Sequence, residues 1–170
     1  MVSRKTLDGA PARGQWLDEQ RPMLALGMDK RRKVMGAEHV ARSLASADGN
    51  SLQQKLQQCV IELAWGGVWG RPGLDLKSRS LATLSVLLAL GHLEEFTLHL
   101  RGALRNGWTP DELAEAIIQI ACYAGWPAAV RGFRVAGDVF EQSATASGST
   151  RGDKKVAKSR AERTVTHRRK

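Results

Sequence analysis

The sequence predicts an all-α fold, and three observations carry that expectation. No stretch alternates apolar and polar residues with the period of two that a half-buried strand requires. Apolar residues instead recur three and four apart, as at Leu52, Leu56, Cys59, Val60, Leu63 and Ala64, which is the spacing of one helical face. Finally, Asn106-Gly107 reads as a helix stop, and Thr109-Pro110-Asp111-Glu112 as a helix start with Thr as cap, Pro first and Glu third.

The elements follow in order. Residues 1–22 form a polar leader broken by Gly9, Pro11, Gly14 and Pro22. Leu24–Met35 is a short amphipathic helix. A second helix runs over Ser51–Trp65 from an Asn/Ser cap signal. Gly66, Gly67, Gly70, Pro72 and Gly73 then predict a loop, framed by Trp65 and Trp69. Leu76–Leu90 is apolar almost all round, which places it in a bundle centre or a subunit interface. Gly91 interrupts it, and a helix over Leu93–Arg105 ends at Asn106-Gly107. The next helix runs from Pro110 to about Tyr123, and Gly125-Trp126-Pro127 separates it from a last one over Ala128–Phe140. Residues 141–170 have little to bury and are expected to be disordered. The expected organisation is thus a leader (1–22), one helical domain (23–140) and a tail (141–170).

The chain carries 26 Lys and Arg against 17 Asp and Glu, a net charge of +9. That charge sits at the ends: residues 1–35 carry +4 and residues 141–170 carry +6, while residues 36–140 carry −1. A nucleic-acid-binding fold more often bears a basic stripe on its folded surface, so nucleic acid is not the expected partner. Two cysteines, Cys59 and Cys122, exclude a disulfide framework and a four-cysteine zinc site. Both lie among apolar residues and read as inert core. No apolar run approaches the length of a membrane span. No secretory signal is evident, so a reducing, cytoplasmic setting is the default expectation.

One group of residues has the makings of chemistry. His92, Glu95 and His99 are spaced three and four apart and share a helical stripe beside the apolar stripe of Leu93, Phe96 and Leu100. On spacing alone, a Glu and His pair of this kind is most often a surface hydrogen bond. Metal binding lacks a fourth ligand at a fixed spacing, so no metal is expected. The sequence has no CxxC, P-loop, strand-borne GxGxxG or GxSxG.

Residue order says more than spacing. The chain carries W-x-x-V-W-x-R-P-G-L from Trp65, R-S-L from Arg79, L-A-L-G from Leu88, H-L-R-x-A-x-x-N-G from His99 and Y-A-G-x-P-A-A from Tyr123. Over about residues 25–140 it resembles the carboxymuconolactone decarboxylase family, of the alkylhydroperoxidase-D-like superfamily. The resemblance implies an all-helical bundle assembled as a homohexamer. The superfamily's peroxidase branch bears C-x-x-C-x-x-x-H, and the same frame here reads His92-x-x-Glu95-x-x-x-His99. Both cysteines are replaced, and that branch's upstream acidic position falls on Ser80. The pattern departs from the peroxidases and keeps to the decarboxylases.

The implied activity is that of a carboxy-lyase in protocatechuate breakdown, converting γ-carboxymuconolactone to 3-oxoadipate enol-lactone. It needs no cofactor, because the departing carboxylate leaves its electrons conjugated to the lactone carbonyl. The resemblance gives the substrate as a small dicarboxylate lactone. On this reading His99 delivers the proton and Glu95 fixes its tautomer or raises its pKa. Arg79 is the first choice for a substrate carboxylate and Arg101 the second, with His92 as an auxiliary donor. Trp65 and Trp69 form an apolar wall for the leaving carboxylate. The competing expectations are a relative acting on another small lactone or hydroperoxide, and a non-catalytic helical assembly whose tail binds a polyanion.

Overall fold

A computed structural model gives the structure of residues 17 and 21–145. The helices are α1 (Pro22–Met35), α2 (Ala37–Ala45), α3 (Ser51–Cys59), a π-helical segment (Val60–Trp69), α4 (Leu76–Leu90), α5 (Leu93–Arg105) and α6 (Pro110–Ala124). A last helix, α7, covers residues 126–145. No strand occurs among the described residues, so the all-α expectation holds.

The chain divides into two compact units. The first comprises, of the described residues, 17, 21–84 and 101–108. α1 lies against the π segment with its backbone in contact. A Cβ on Gly27 would come within 2.0 Å of the Ile61 carbonyl oxygen, and one on Gly66 within 2.2 Å of the Met23 carbonyl oxygen. Only glycine permits such an approach. Leu24, Met28, Val34 and Ile61 are buried in this unit. Arg21 pairs with Glu62 at 2.5 Å at the start of α1.

Local signals set the helix ends. Asn50 caps α3 by accepting from Leu52 N and Gln53 N, both at 3.1 Å. Asp75 accepts from Ser78 N at 3.0 Å and from Ser78 Oγ at 2.6 Å at the start of α4. These bonds hold its carboxyl below the usual range. The end of α5 is tied to the start of α4. Asn106 Nδ2 donates to Ser80 Oγ at 2.8 Å, and Trp108 Nε1 donates to the Lys77 carbonyl at 2.9 Å. Lys77 Nζ stands 4.6 Å from the centre of the Trp108 ring, a cation–π contact.

The second unit comprises, of the described residues, 85–100 and 109–145. α4 stops at Gly91, whose φ of 76° is the left-handed region. Gly91 N donates to Leu88 O at 3.1 Å and His92 N to Leu87 O at 2.9 Å, the paired bonds of a Schellman stop. α6 opens on the expected capping box: Glu112 N donates to Thr109 Oγ1 at 3.2 Å, and Thr109 N to Glu112 Oε2 at 2.8 Å. Gly132 of α7 sits where a Cβ would press on Leu88 at 3.0 Å and on Ile117 at 3.4 Å, so α4, α6 and α7 meet there. Leu88, Phe96, Leu113, Ile117 and Val139 are buried in this unit.

Five expectations are corrected. α2 was not anticipated; its inward face is only Val40 and Leu44, too short a pattern to register. The helix begun at Ser51 does not yield to a loop at Gly66 but continues in π form to Trp69. Its stripe of Leu52, Leu56 and Leu63 is exposed, at 73%, 55% and 67%; contact with α1 selects the Ile61 and Gly66 side instead. Cys59 and Cys122 are exposed, not core: α3 buries none of its residues, and Cys122 lies off the buried face of α6. The last helix passes its expected end and runs through 145, so the first five residues of the expected disordered tail are helical. Ser143 Oγ donates to the Val139 carbonyl at 2.8 Å there, satisfying its hydroxyl within the helix. The rest of the tail, and the leader apart from Leu17, Arg21 and Pro22, lie outside the described residues.

Candidate active site

The second unit carries the His and Glu stripe. His92 precedes α5, and its carbonyl accepts the helix's first bond, from Phe96 N at 2.9 Å. His92 and Glu95 are exposed. His99, one turn beyond Glu95, is half-buried, and its Nδ1 is closed off from solvent. Phe96 and Leu100, on the neighbouring stripe, are fully buried. The stripe from His92 into α5 thus presents a gradient, from two exposed polar residues to one imidazole with a sheltered nitrogen. An imidazole so placed can exchange a proton while one ring atom is held away from bulk water.

The first unit holds the other sequence candidates. Trp65 is 6% exposed and Trp69 half-buried, with ring centres 4.8 Å apart and planes tilted by 30°. Arg79 braces the loop between the π segment and α4. Its Nε donates to the Leu74 carbonyl and its Nη2 to the Arg71 carbonyl, both at 3.0 Å. Two of its five N–H groups are therefore committed to the R-P-G-L turn. Arg101 is half-buried on α5, two residues beyond His99.

Two features were not read from the sequence: how Ser80 is bonded, and a group of basic residues around α2. Ser80 is 1% exposed; its Oγ donates to the Leu76 carbonyl at 2.9 Å and accepts from Asn106. The position at which the peroxidase branch keeps an acid is here a structural hydrogen-bond node. Arg31, His39 and Arg105, from three different helices, meet around α2: Arg31 bonds Ser43, one turn beyond His39, and the Arg105 guanidinium lies over Gly36, three residues before it. No group of three His, Cys, Asp or Glu side chains among the described residues is arranged to hold a metal ion. A groove of about 530 Å³ lies between α4 and α6, lined by Val86, Ala89, Ile120 and Tyr123 among others. None of the candidate polar residues lines it.

The all-helical fold and the motif-bearing helices define a class. A sequence model of the carboxymuconolactone decarboxylase family matches residues 54–138, and the chain belongs to that family. It is 44% identical over 124 residues to the 4-carboxymuconolactone decarboxylase of Acinetobacter baylyi, covering 73% of this chain and 90% of that one. It is also 40% identical over 104 residues to the nitrosuccinic acid decarboxylase npaB of Metarhizium robertsii, covering 61% and 71%. No helix among the described residues is long and apolar enough to cross a membrane.

Proposed function

We propose that the protein decarboxylates γ-carboxymuconolactone to 3-oxoadipate enol-lactone, with His99 as proton donor. The observation that carries this reading is the 44% identity across 90% of a relative named for that decarboxylation. The half-buried His99 supports its role. The bond from the ring carbon to its carboxylate breaks and CO2 departs. The electron pair moves through the ring double bond into the lactone carbonyl, giving a furan-like enolate. A proton from His99 then bonds to the ring carbon beside that carbonyl. Preorganised donors gain most by acting on the oxyanion that develops in this step. Glu95 biases the imidazole from one turn away. Arg101 takes a substrate carboxylate. Arg79 contributes by holding the Arg71–Leu74 turn, with its remaining N–H groups open to an anion. His92 assists as a donor, and Trp65 and Trp69 supply an apolar wall.

The protein acts as a homo-oligomer, a hexamer by family resemblance. Support comes from large apolar side chains exposed on the single chain: Leu52 and Leu63 in the first unit, and Val86, Leu90, Tyr123 and Trp126 in the second. Large apolar side chains left exposed within each unit are what an interface would cover. Its setting is the cytoplasm, in keeping with two exposed free thiols.

The test is a coupled assay. Protocatechuate is converted to the lactone by the two upstream activities, this protein is added, and lactone loss and CO2 release are followed above the uncatalysed decay. Acceleration abolished by His99→Ala supports the reading, and no acceleration by a folded oligomer overturns it. The 40% identity to a nitrosuccinic acid decarboxylase favours a second reading, a nitro-dicarboxylate substrate. Turnover of nitrosuccinate but not of the lactone would establish it.

A further inference from the structure

Arg31 on α1 is only 7% exposed. Its Nη1 donates to Gln57 Oε1 at 2.7 Å and its Nη2 to Ser43 Oγ at 3.0 Å. These bonds join α1 to α3 and α2, yet both partners are neutral. The guanidinium is therefore buried with its hydrogen bonds partly met and no ion pair to a carboxylate among the described residues. A buried cation without a counter-charge is costly.

More positive charge gathers beside it. His39, in the first turn of α2, is held below the ordinary imidazole range by burial first, and then by Arg31, Arg42, Arg105 and Arg101. Arg31 comes from α1, Arg42 from α2, and Arg101 and Arg105 from α5. Arg105 lies over the α1–α2 junction: a Cβ on Gly36 would come within 3.2 Å of its Cζ and Nη2. Glu38, the acid in the first turn of α2, is already paired with Arg42 at 2.5 Å, with both side chains largely exposed. Among the described residues, Arg31, Arg42 and Arg105 thus approach His39 from three helices, and the neighbouring Glu38 is already engaged by Arg42.

We propose that this cluster is a binding site for a small oxyanion with two negative charges, a dicarboxylate or a phosphate, held by Arg105 and His39 beside the buried Arg31. The bound anion supplies Arg31 with a counter-charge. Gly36 leaves room for the Arg105 guanidinium to lie flat at the junction. The site uses none of the residues assigned to the decarboxylation, Arg101 included, so it stands apart from that reading.

The experiment follows the His39 imidazole by NMR in the full-length protein, its resonance assigned with His39→Gln. It is titrated in sodium chloride, inorganic phosphate and succinate at matched ionic strength. Saturating phosphate or succinate is expected to raise the His39 pKa by about 1–3 units, the effect of an opposite charge close by, while chloride does not. Response to phosphate alone identifies a phosphate-type ligand, and response to succinate a carboxylate one. Arg105 is exposed, so Arg105→Gln keeps the fold and is expected to weaken the apparent affinity at least about tenfold. Arg105→Lys retains part of it. The proposal is overturned if neither anion moves His39 beyond the chloride control, or if Arg105→Gln leaves the shift intact.

Discussion

Gly27→Ala is the sharpest probe of how α1 and the π segment meet. The added Cβ would lie 2.0 Å from the Ile61 carbonyl oxygen and 2.9 Å from Gly66 N. Both are backbone atoms, so no side chain can rotate out of the way. To reach the 3.4 Å at which ordinary contact begins, the two helices must separate. Overpacking of this kind costs about 1–3 kcal/mol, and a rigid backbone obstacle belongs at the upper end. Replacing a helical Gly by Ala returns up to about 1 kcal/mol. The expected net loss is about 2 kcal/mol, a sizeable part of the roughly 5–15 kcal/mol of a typical domain. Urea unfolding reads it as a lower midpoint at unchanged slope. Gly67→Ala is the control: its Cβ would meet nothing nearer than the Glu62 carbonyl oxygen at 3.7 Å, so stability should hold or rise slightly. A Gly27→Ala protein as stable as the parent, or a Gly67→Ala protein equally weakened, would refute backbone contact as the reason for these glycines.

Other consequences can be checked alongside. His99→Ala should lower kcat for the lactone by about 10²–10⁴, the usual contribution of a positioned acid or base. Glu95→Gln should retain activity but displace the pH dependence of kcat, and an unmoved profile would remove Glu95 from the mechanism. Thr109→Ala should cost about 1 kcal/mol by breaking the capping box of α6, measured by urea midpoint. The lowered pKa of His39 fixes a sign. The unfolded chain takes up the proton first, so stability is lost as pH falls from the ordinary imidazole value of 6.5 toward the lower folded value. Thermal unfolding across that window should show the slope, and His39→Gln should flatten it.

What was legible in the sequence was local. Asn50, Asn106-Gly107 and Thr109-Pro110 act within a turn or two of themselves, and each ends or begins a helix as expected. The α5 stripe was legible for the same reason. Which face is buried was not, because that depends on a distant partner. Leu52, Leu56 and Leu63 have core spacing and face outward, whereas Gly66, with no side chain, is buried. The run Gly66-Gly67 looked like a breaker; tight packing on Gly27 makes it part of a helix. Arg79 read as the first choice for a substrate carboxylate, and its bonds to the Arg71 and Leu74 carbonyls depend on the return path of the loop. The Arg31, His39 and Arg105 cluster joins residues up to 74 positions apart, beyond any spacing rule.

The left-handed turn at Gly91 has a consequence for assembly. Between Leu76 and Arg105 only Gly91 and His92 are not helical. A residue at 91 that resists positive φ makes one unbroken rod of about 45 Å the locally favoured course. Such a rod carries its distal half, His99 included, away from its own chain and toward a second copy. A single atom of side chain at this position thus separates a self-contained protomer from an exchanged, entangled one. In the oligomer proposed for this protein, that glycine governs whose α5 each subunit uses.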